Sequence, residues 1–365
     1  MTTTGDLRAA GVSIWLDDLS RERIRSGGLG MLISERDVVG ITTNPTIFAN
    51  AISTEAAYRT QLDEIRRSDA SPTDTVFSLI TADVQAACDI LSPVFDATGG
   101  VDGRVSVEVS PAVAHDAAAT LAEAHQLTRA VDRPNLFVKI PATPAGLTAI
   151  ADATAAGISI NVTLIFGLDR YRQVVDAYLT GLERARDAGR SLGGIQSVAS
   201  FFVSRVDVEV DRRLEAAGAA GSELSGRAAI ANAHLAYEIF EATVNSERWR
   251  ALERAGANPQ RPFWASTGVK STSMRDTIYV EELIAPRTVN TMPEKTLEAV
   301  WDHGTIRSNT VEATYDESRR IVDALDAMGI SLEDVSATLE ADGIATFSAS
   351  WERLIAAVAD GAGSR

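Results

Sequence analysis

Only three of the chain's 34 basic residues are lysines: Lys139, Lys270 and Lys295. Arginine is used almost everywhere else a cation is wanted, so a retained lysine points to chemistry arginine cannot perform. Arginine keeps its proton in a protein, whereas lysine can lose it and become a nucleophile. Lys139 stands in the run Asn135–Thr143, NLFVKIPAT, with Leu136, Phe137 and Val138 before it and Ile140 and Pro141 after it. Such a run reads as a short buried strand ended by proline. Burying an unpaired ammonium there costs several kcal/mol. At an ordinary pKa of roughly 10.4, about one lysine in ~2,500 is neutral at pH 7. Desolvation can lower that pKa by ~3–5 units, raising the reactive amine about a thousandfold. The plain alternative is a strand-end lysine that snorkels to solvent.

Other polar residues close further apolar runs. In chain order they are Asp17, Asn44, Glu108, Lys139, Asn161 with Thr163, Ser200, Ser266 and Asn290. Each has an ordinary explanation alone: Asp17 as a helix cap, Asn44 as a turn former, Glu108 in a rim ion pair, Thr163 as a good strand residue. A hydrophobic core does not ask for them together. An amine, carboxylates to move protons, and hydroxyls or amides to hold a polyol are what imine chemistry on a sugar requires.

The elements that must position these residues are short strands separated by helices. Strands are expected at Ser13–Leu16, Val38–Ile41, Arg104–Val109, Leu136–Ile140, Ile158–Phe166, Ser197–Val203, Pro262–Ser266 and Thr288–Met292. Helical segments are expected from Asp18 to Gly27 and at Leu29–Arg36, Thr46–Arg67, Thr73–Asp96, Ala112–Ala130, Ala145–Ala155, Leu168–Asp187, Leu224–Ala255, Glu294–Asp302, Thr310–Met328 and Leu332–Asp360. This alternation implies a parallel sheet. Eight units in 365 residues imply a single α/β domain, a (β/α)8 TIM barrel with extra helices over about 331–365. A doubly wound open sheet is the alternative. The glycine cluster Gly27-Gly28-Leu29-Gly30 follows a helix rather than a strand, so it reads as a helix stop and not as a phosphate cradle.

The formal charge of −16 argues against nucleic-acid or anionic-membrane partners. An anionic substrate then needs a local basic pocket. A single cysteine, Cys88, excludes an intrachain disulfide and fits a reducing, cytoplasmic setting. No secretory leader pattern and no apolar run of ~18 residues is evident. The four histidines lie far apart in sequence, so no metal site is expected.

The motifs themselves resemble the transaldolase family, in its longer bacterial type. They are WLDDLSR at Trp15–Arg21, GITTNPTIF at Gly40–Phe48, VSVEVSP at Val105–Pro111, LFVKIPAT at Leu136–Thr143, INVTLIF at Ile160–Phe166, SFFVSRVD at Ser200–Asp207 and WASTG at Trp264–Gly268. The resemblance implies a circularly permuted class I aldolase-type barrel, without cofactor. It also implies transfer of a dihydroxyacetone unit from sedoheptulose 7-phosphate or fructose 6-phosphate to glyceraldehyde 3-phosphate or erythrose 4-phosphate in the non-oxidative pentose phosphate pathway.

Carried over by motif, Lys139 resembles the Schiff-base lysine. Glu108 resembles the carboxylate acting through a water that Thr163 holds, and Asp17 the base for the C4 hydroxyl. Asn44 and Asn161 resemble the amides on substrate hydroxyls, and Ser200, Arg205 and Ser266 the phosphate contacts. Relatives of other types carry an arginine soon after the strand-seven serine. Here Lys270 is the nearest cation and is expected to meet phosphate as a point charge. Asp18 neighbours Asp17, but period-two alternation sends it to the other face. Two other readings remain: a fructose 6-phosphate aldolase-like enzyme that releases dihydroxyacetone, and a sugar-phosphate-binding barrel without turnover. The set Lys139, Glu108, Asp17 and Thr163 argues against the last. A homodimer stays open as one use of the C-terminal helices, the other being to cover the barrel.

Overall fold

A computed structural model describes residues 2–54, 56–65 and 70–360. Eight strands are present: β1 Val12–Leu16, β2 Val38–Ile41, β3 Arg104–Glu108, β4 Leu136–Pro141, β5 Ile160–Ile165, β6 Ser197–Phe202, β7 Gln260–Ala265 and β8 Thr288–Met292. They close into one barrel in chain order, every neighbouring pair parallel. Helices surround it, as expected for a (β/α)8 fold. All eight expected strands are found, with ends shifted by no more than two residues.

Alternation along each strand divides inside from outside. Trp15 from β1 fills the barrel centre, 6.0 Å from the Phe137 ring and 5.2 Å from the Phe263 ring. Gly40 on β2 makes room for it: a Cβ there would lie 2.3 Å from the indole. Toward the amino ends of the strands, Arg261 donates to Ser13 Oγ (2.9 Å) and Asp102 Oδ1 (3.0 Å), closing the barrel with a satisfied buried charge. The carboxyl ends are left for polar groups.

The helices depart from expectation in several places. The segment expected over Thr46–Arg67 is a helix at Pro45–Thr54, a 3-10 turn at Ala56–Tyr58 and a helix at Arg59–Ile65; its expected end at Arg67 lies outside the described residues. Ala112–Ala130 begins with a 3-10 turn at Pro111–Val113, and the helix proper is Ala117–Val131, started by the Asp116 side chain on Ala119 N. Leu224–Ala255 is two helices, Ala228–Val244 and Glu247–Arg254, the second capped by Ser246. The helix expected from Thr310 starts at Tyr315. Helices at Thr3–Ala9, Ser204–Ala216 and Ile278–Glu281 were not expected.

The helix Pro72–Ala97 corrects the expectation of no long apolar run: by length and composition it could cross a bilayer. In this fold its apolar face, including Leu79, Val84, Ala87 and Leu91, is buried.

The last described helix, Leu332–Asp360, crosses the carboxyl-end side of the barrel. It approaches the end of β5 so closely that a Cβ on Gly343 would come within 2.8 Å of Leu164 Cδ2. Thr46 and Ser350 hydroxyls meet at 2.8 Å, Arg170 pairs with Glu340 at 3.1 Å, and Trp351 packs edge-on to Phe77. The described part of this segment therefore covers the barrel.

Candidate active site

Lys139 is held on β4 between two strands that fix its neighbours by register. Glu108 of β3 pairs with it on one side and Asn161 of β5 on the other. The side chain is buried, the residue 4% exposed. Its Nζ donates to Thr43 O at 3.0 Å and lies 3.4 Å from Glu108 Oε2, an ion-pair contact outside hydrogen-bond alignment. Thr43 is itself anchored, its hydroxyl donating to Ser106 O at 2.8 Å. The turn that carries Glu108 out of β3 is pinned by the Glu123 carboxylate, which accepts from Ser110 N–H.

Burial raises the Glu108 carboxyl to about 7, against the pull of the Lys139 charge. Burial also raises Asp17, with Lys139 opposing and Asp18 adding to the rise. Two carboxyls displaced upward beside one amine are groups suited to proton transfer.

A cavity of about 160 Å³ opens beside Lys139 at the carboxyl ends of the strands. Asp17, Asn44, Ser200, Arg205, Ser266 and Lys270 line it with the lysine. Asp18 turns away and pairs with Arg23 at 2.7 Å, so period two separates the two aspartates as expected. Asn44 Oδ1 caps the following helix by accepting from Ile47 N at 3.0 Å, leaving its NH2 group for the cavity.

Ser200 donates to Asn161 Oδ1 at 2.6 Å, and Asn161 Nδ2 donates to Ser106 Oγ at 3.0 Å. Asn161, Thr163 and Glu108 thus stand beside Lys139 without lining the cavity wall. Thr163 Oγ1 and Glu108 Oε2 are both buried and without hydrogen-bond partners among the described residues. A bulge in β5 follows Thr163, with Leu164 at φ 59°. Ser266 sits at φ 58° just after β7, its hydroxyl 3.0 Å from Ser204 Oγ. Such backbone costs ~1–3 kcal/mol per residue and persists where surroundings enforce it.

Arg205 leans over the Phe202 ring at 5.3 Å and makes no ion pair among the described residues. It is half-buried, and burial lowers its pKa against the opposing effect of Asp17 and Glu108. Lys270 is exposed at the rim. Among the described residues, no group of three or more His, Cys, Asp or Glu assembles as metal ligands.

One strand-end residue is placed otherwise. Asn290 pairs in register with outward-facing Trp264 and donates to Tyr279 O, so it faces the helices. Its neighbour Thr291 lines the cavity instead. Sequence reasoning also missed Thr42, Phe202, Phe263 and Phe347. Period two from Asn44 would have found Thr42. Nothing local marks Phe347, which reaches the cavity from the covering helix.

A parallel eight-stranded barrel with a buried lysine and two raised carboxyls at its carboxyl-end mouth defines an enzyme of the aldolase class. The family model described as transaldolase/fructose-6-phosphate aldolase matches residues 14–358. The transaldolase of Acidothermus cellulolyticus is 55% identical over 353 residues, covering 97% of this chain and 95% of that one. That of Kocuria rhizophila is 55% identical over 358 residues, covering 98% and 97%. That of Mycobacterium bovis is 54% identical over 354 residues, covering 96% and 94%. The chain belongs to the transaldolase/fructose-6-phosphate aldolase family, and its activity is that of a transaldolase, a group transferase.

Proposed function

We propose that the chain moves a dihydroxyacetone unit between sugar phosphates through a Schiff base on Lys139. The observation that carries this is the buried lysine held by Glu108 and Thr43 O beneath a cavity that also contains Asp17 and Arg205, which has no ion pair among the described residues. The Lys139 amine attacks C2 of the ketose. Glu108, near half-protonated at neutral pH, passes protons through a water held by Thr163 while carbinolamine forms and loses water. The resulting iminium draws electrons from the C3–C4 bond. Asp17 takes the C4 hydroxyl proton as that bond breaks, and the aldehyde product leaves. The enamine then adds to a second aldehyde, Asp17 returns the proton, and hydrolysis frees the lysine.

Asn44 and Asn161 hold the hydroxyls of the bound three-carbon unit. Ser200, Arg205, Ser266 and Lys270 take the phosphate, which orients the substrate from a point remote from the reacting carbons. The donor is sedoheptulose 7-phosphate or fructose 6-phosphate and the acceptor glyceraldehyde 3-phosphate or erythrose 4-phosphate, within the non-oxidative pentose phosphate pathway. We read the chain as one domain, cytoplasmic and acting on small molecules.

The test is a coupled assay of fructose 6-phosphate consumption with and without erythrose 4-phosphate. Transfer requires the acceptor. Sustained consumption without it, with free dihydroxyacetone accumulating, would mean release instead.

A further inference from the structure

Two residues on the wall of the Lys139 cavity, Thr42 and Thr291, bury a hydroxyl oxygen that has no hydrogen-bond partner among the described residues. A buried hydroxyl left unpaired is costly, and one on a cavity wall is a group kept for a ligand. The mechanism above gives Thr291 no part.

Its position in the barrel says which part of a substrate it meets. Thr291 pairs in register with Trp15, two residues before Asp17, and the next residue, Met292, accepts from Asp17 N at 2.9 Å. On its other side, Thr267 donates to Thr291 O at 2.7 Å, joining β8 to the turn that carries Ser266 and Lys270. Thr291 therefore stands on the strand between Asp17 and the phosphate end of the site. Thr42, just past the end of β2, lies on the opposite arc, between Asp17 and Lys139.

We propose that Thr291 binds the hydroxyl of the carbon next to C4. In fructose 6-phosphate this is the C5 hydroxyl, and in the acceptor aldehyde it is the 2-hydroxyl. This role for Thr291 rests on the transfer reading. With C2 fixed on Lys139, the C4 hydroxyl at Asp17 and the phosphate at Ser266, Arg205 and Lys270, that hydroxyl is the polar group left between Asp17 and the phosphate. Of the two β8 side chains with a buried polar atom unsatisfied among the described residues, Asn290 and Thr291, only Thr291 lines the cavity. The site then selects 2-hydroxyaldehyde phosphates over those lacking the hydroxyl.

The experiment is a competition. Glyceraldehyde 3-phosphate and 3-hydroxypropanal phosphate, the same three-carbon aldehyde without the 2-hydroxyl, are offered together to the enzyme with sedoheptulose 7-phosphate as donor, and fructose 6-phosphate and 5-deoxyfructose 6-phosphate are measured at early times. The product ratio gives the ratio of kcat/KM for the two acceptors, independent of the donor step and of the active fraction. Thr291→Val, near-isosteric, is expected to lower the preference for glyceraldehyde 3-phosphate by about 3- to 10-fold, the loss of one neutral hydrogen bond. Thr291→Ser is expected to keep the wild-type ratio. An unchanged ratio in the valine variant, or equal loss in both variants, overturns the assignment. Failure of the wild-type enzyme to transfer to either acceptor would strike the transfer reading itself.

Discussion

Arg205 shows how much one side chain reveals. Nearly every buried or half-buried charge here is answered within the protein: Arg261 by Asp102 and Arg21 by Asp83, for example. Among the described residues, Arg205 has only an aromatic ring and the distant field of Asp17 and Glu108. A half-buried guanidinium without a carboxylate is a site for an anion that arrives. Arg205→Ala is expected to lower kcat/KM for fructose 6-phosphate by ~10- to 100-fold, the worth of charged hydrogen bonds of ~1.5–3 kcal/mol. Unphosphorylated dihydroxyacetone donors should change little. Steady-state kinetics on both donors decides, and equal losses would remove the phosphate role. At this scale the sequence was highly legible. Lys139 stood out because its type clashed with its surroundings. Asp17 was set on the opposite face from Asp18 by the pleat and chosen as the inward one by the WLD motif. Thr291 was not legible, because a threonine in a strand is ordinary until register and hydrogen bonding are known.

Elements were less evenly legible than residues. The strands were marked by apolar runs ending at turns. The helix Ser204–Ala216, SRVDVEVDRRLEA, was missed because its first half alternates polar and apolar residues as a strand would. Its helical pairs settle the matter: Glu209 binds Arg212 at i+3 and Arg213 at i+4. Arg213 reaches on to Thr338 Oγ1 at 3.0 Å, tying the helix that begins beside Arg205 to the covering helix. Hydrogen bonding from Arg212, and then Arg213, holds the Glu209 carboxyl at about 2, below its ordinary 4.5. A depressed carboxyl contributes stability that is present above the unfolded pKa and lost as pH falls toward the folded value. Glu209→Gln is therefore expected to lower the thermal midpoint by ~2 °C at pH 7, the scale of about 1 kcal/mol. The gap from wild type should narrow between pH 4.5 and 2. A pH-independent gap in thermal scans would contradict the account.

At the scale of the molecule, a packed barrel centre supports a polar mouth, and one late helix closes over it. The centre depends on Gly40, since a methyl there meets Trp15 while Phe137 and Phe263 hold the indole in place. Gly40→Ala is expected to cost ~1–3 kcal/mol by overpacking, seen as a thermal midpoint lower by several degrees. An unchanged midpoint would show that the barrel yields more readily than its packing implies. The barrel class was legible from alternation alone. The cover was not settled by sequence, because an amphipathic helix does not say which surface it packs on, and Phe347 enters the cavity only through the tertiary fold.

Every turnover in this account passes through a covalent bond at one nitrogen. Borohydride reduction in the presence of fructose 6-phosphate, followed by peptide mass spectrometry, tests it most directly. The account predicts a reduced dihydroxyacetone adduct on the peptide carrying Lys139, and neither adduct nor activity in Lys139→Arg, whose guanidinium cannot form the imine. An adduct on Lys270 or Lys295 instead, or turnover retained in the arginine variant, would contradict it.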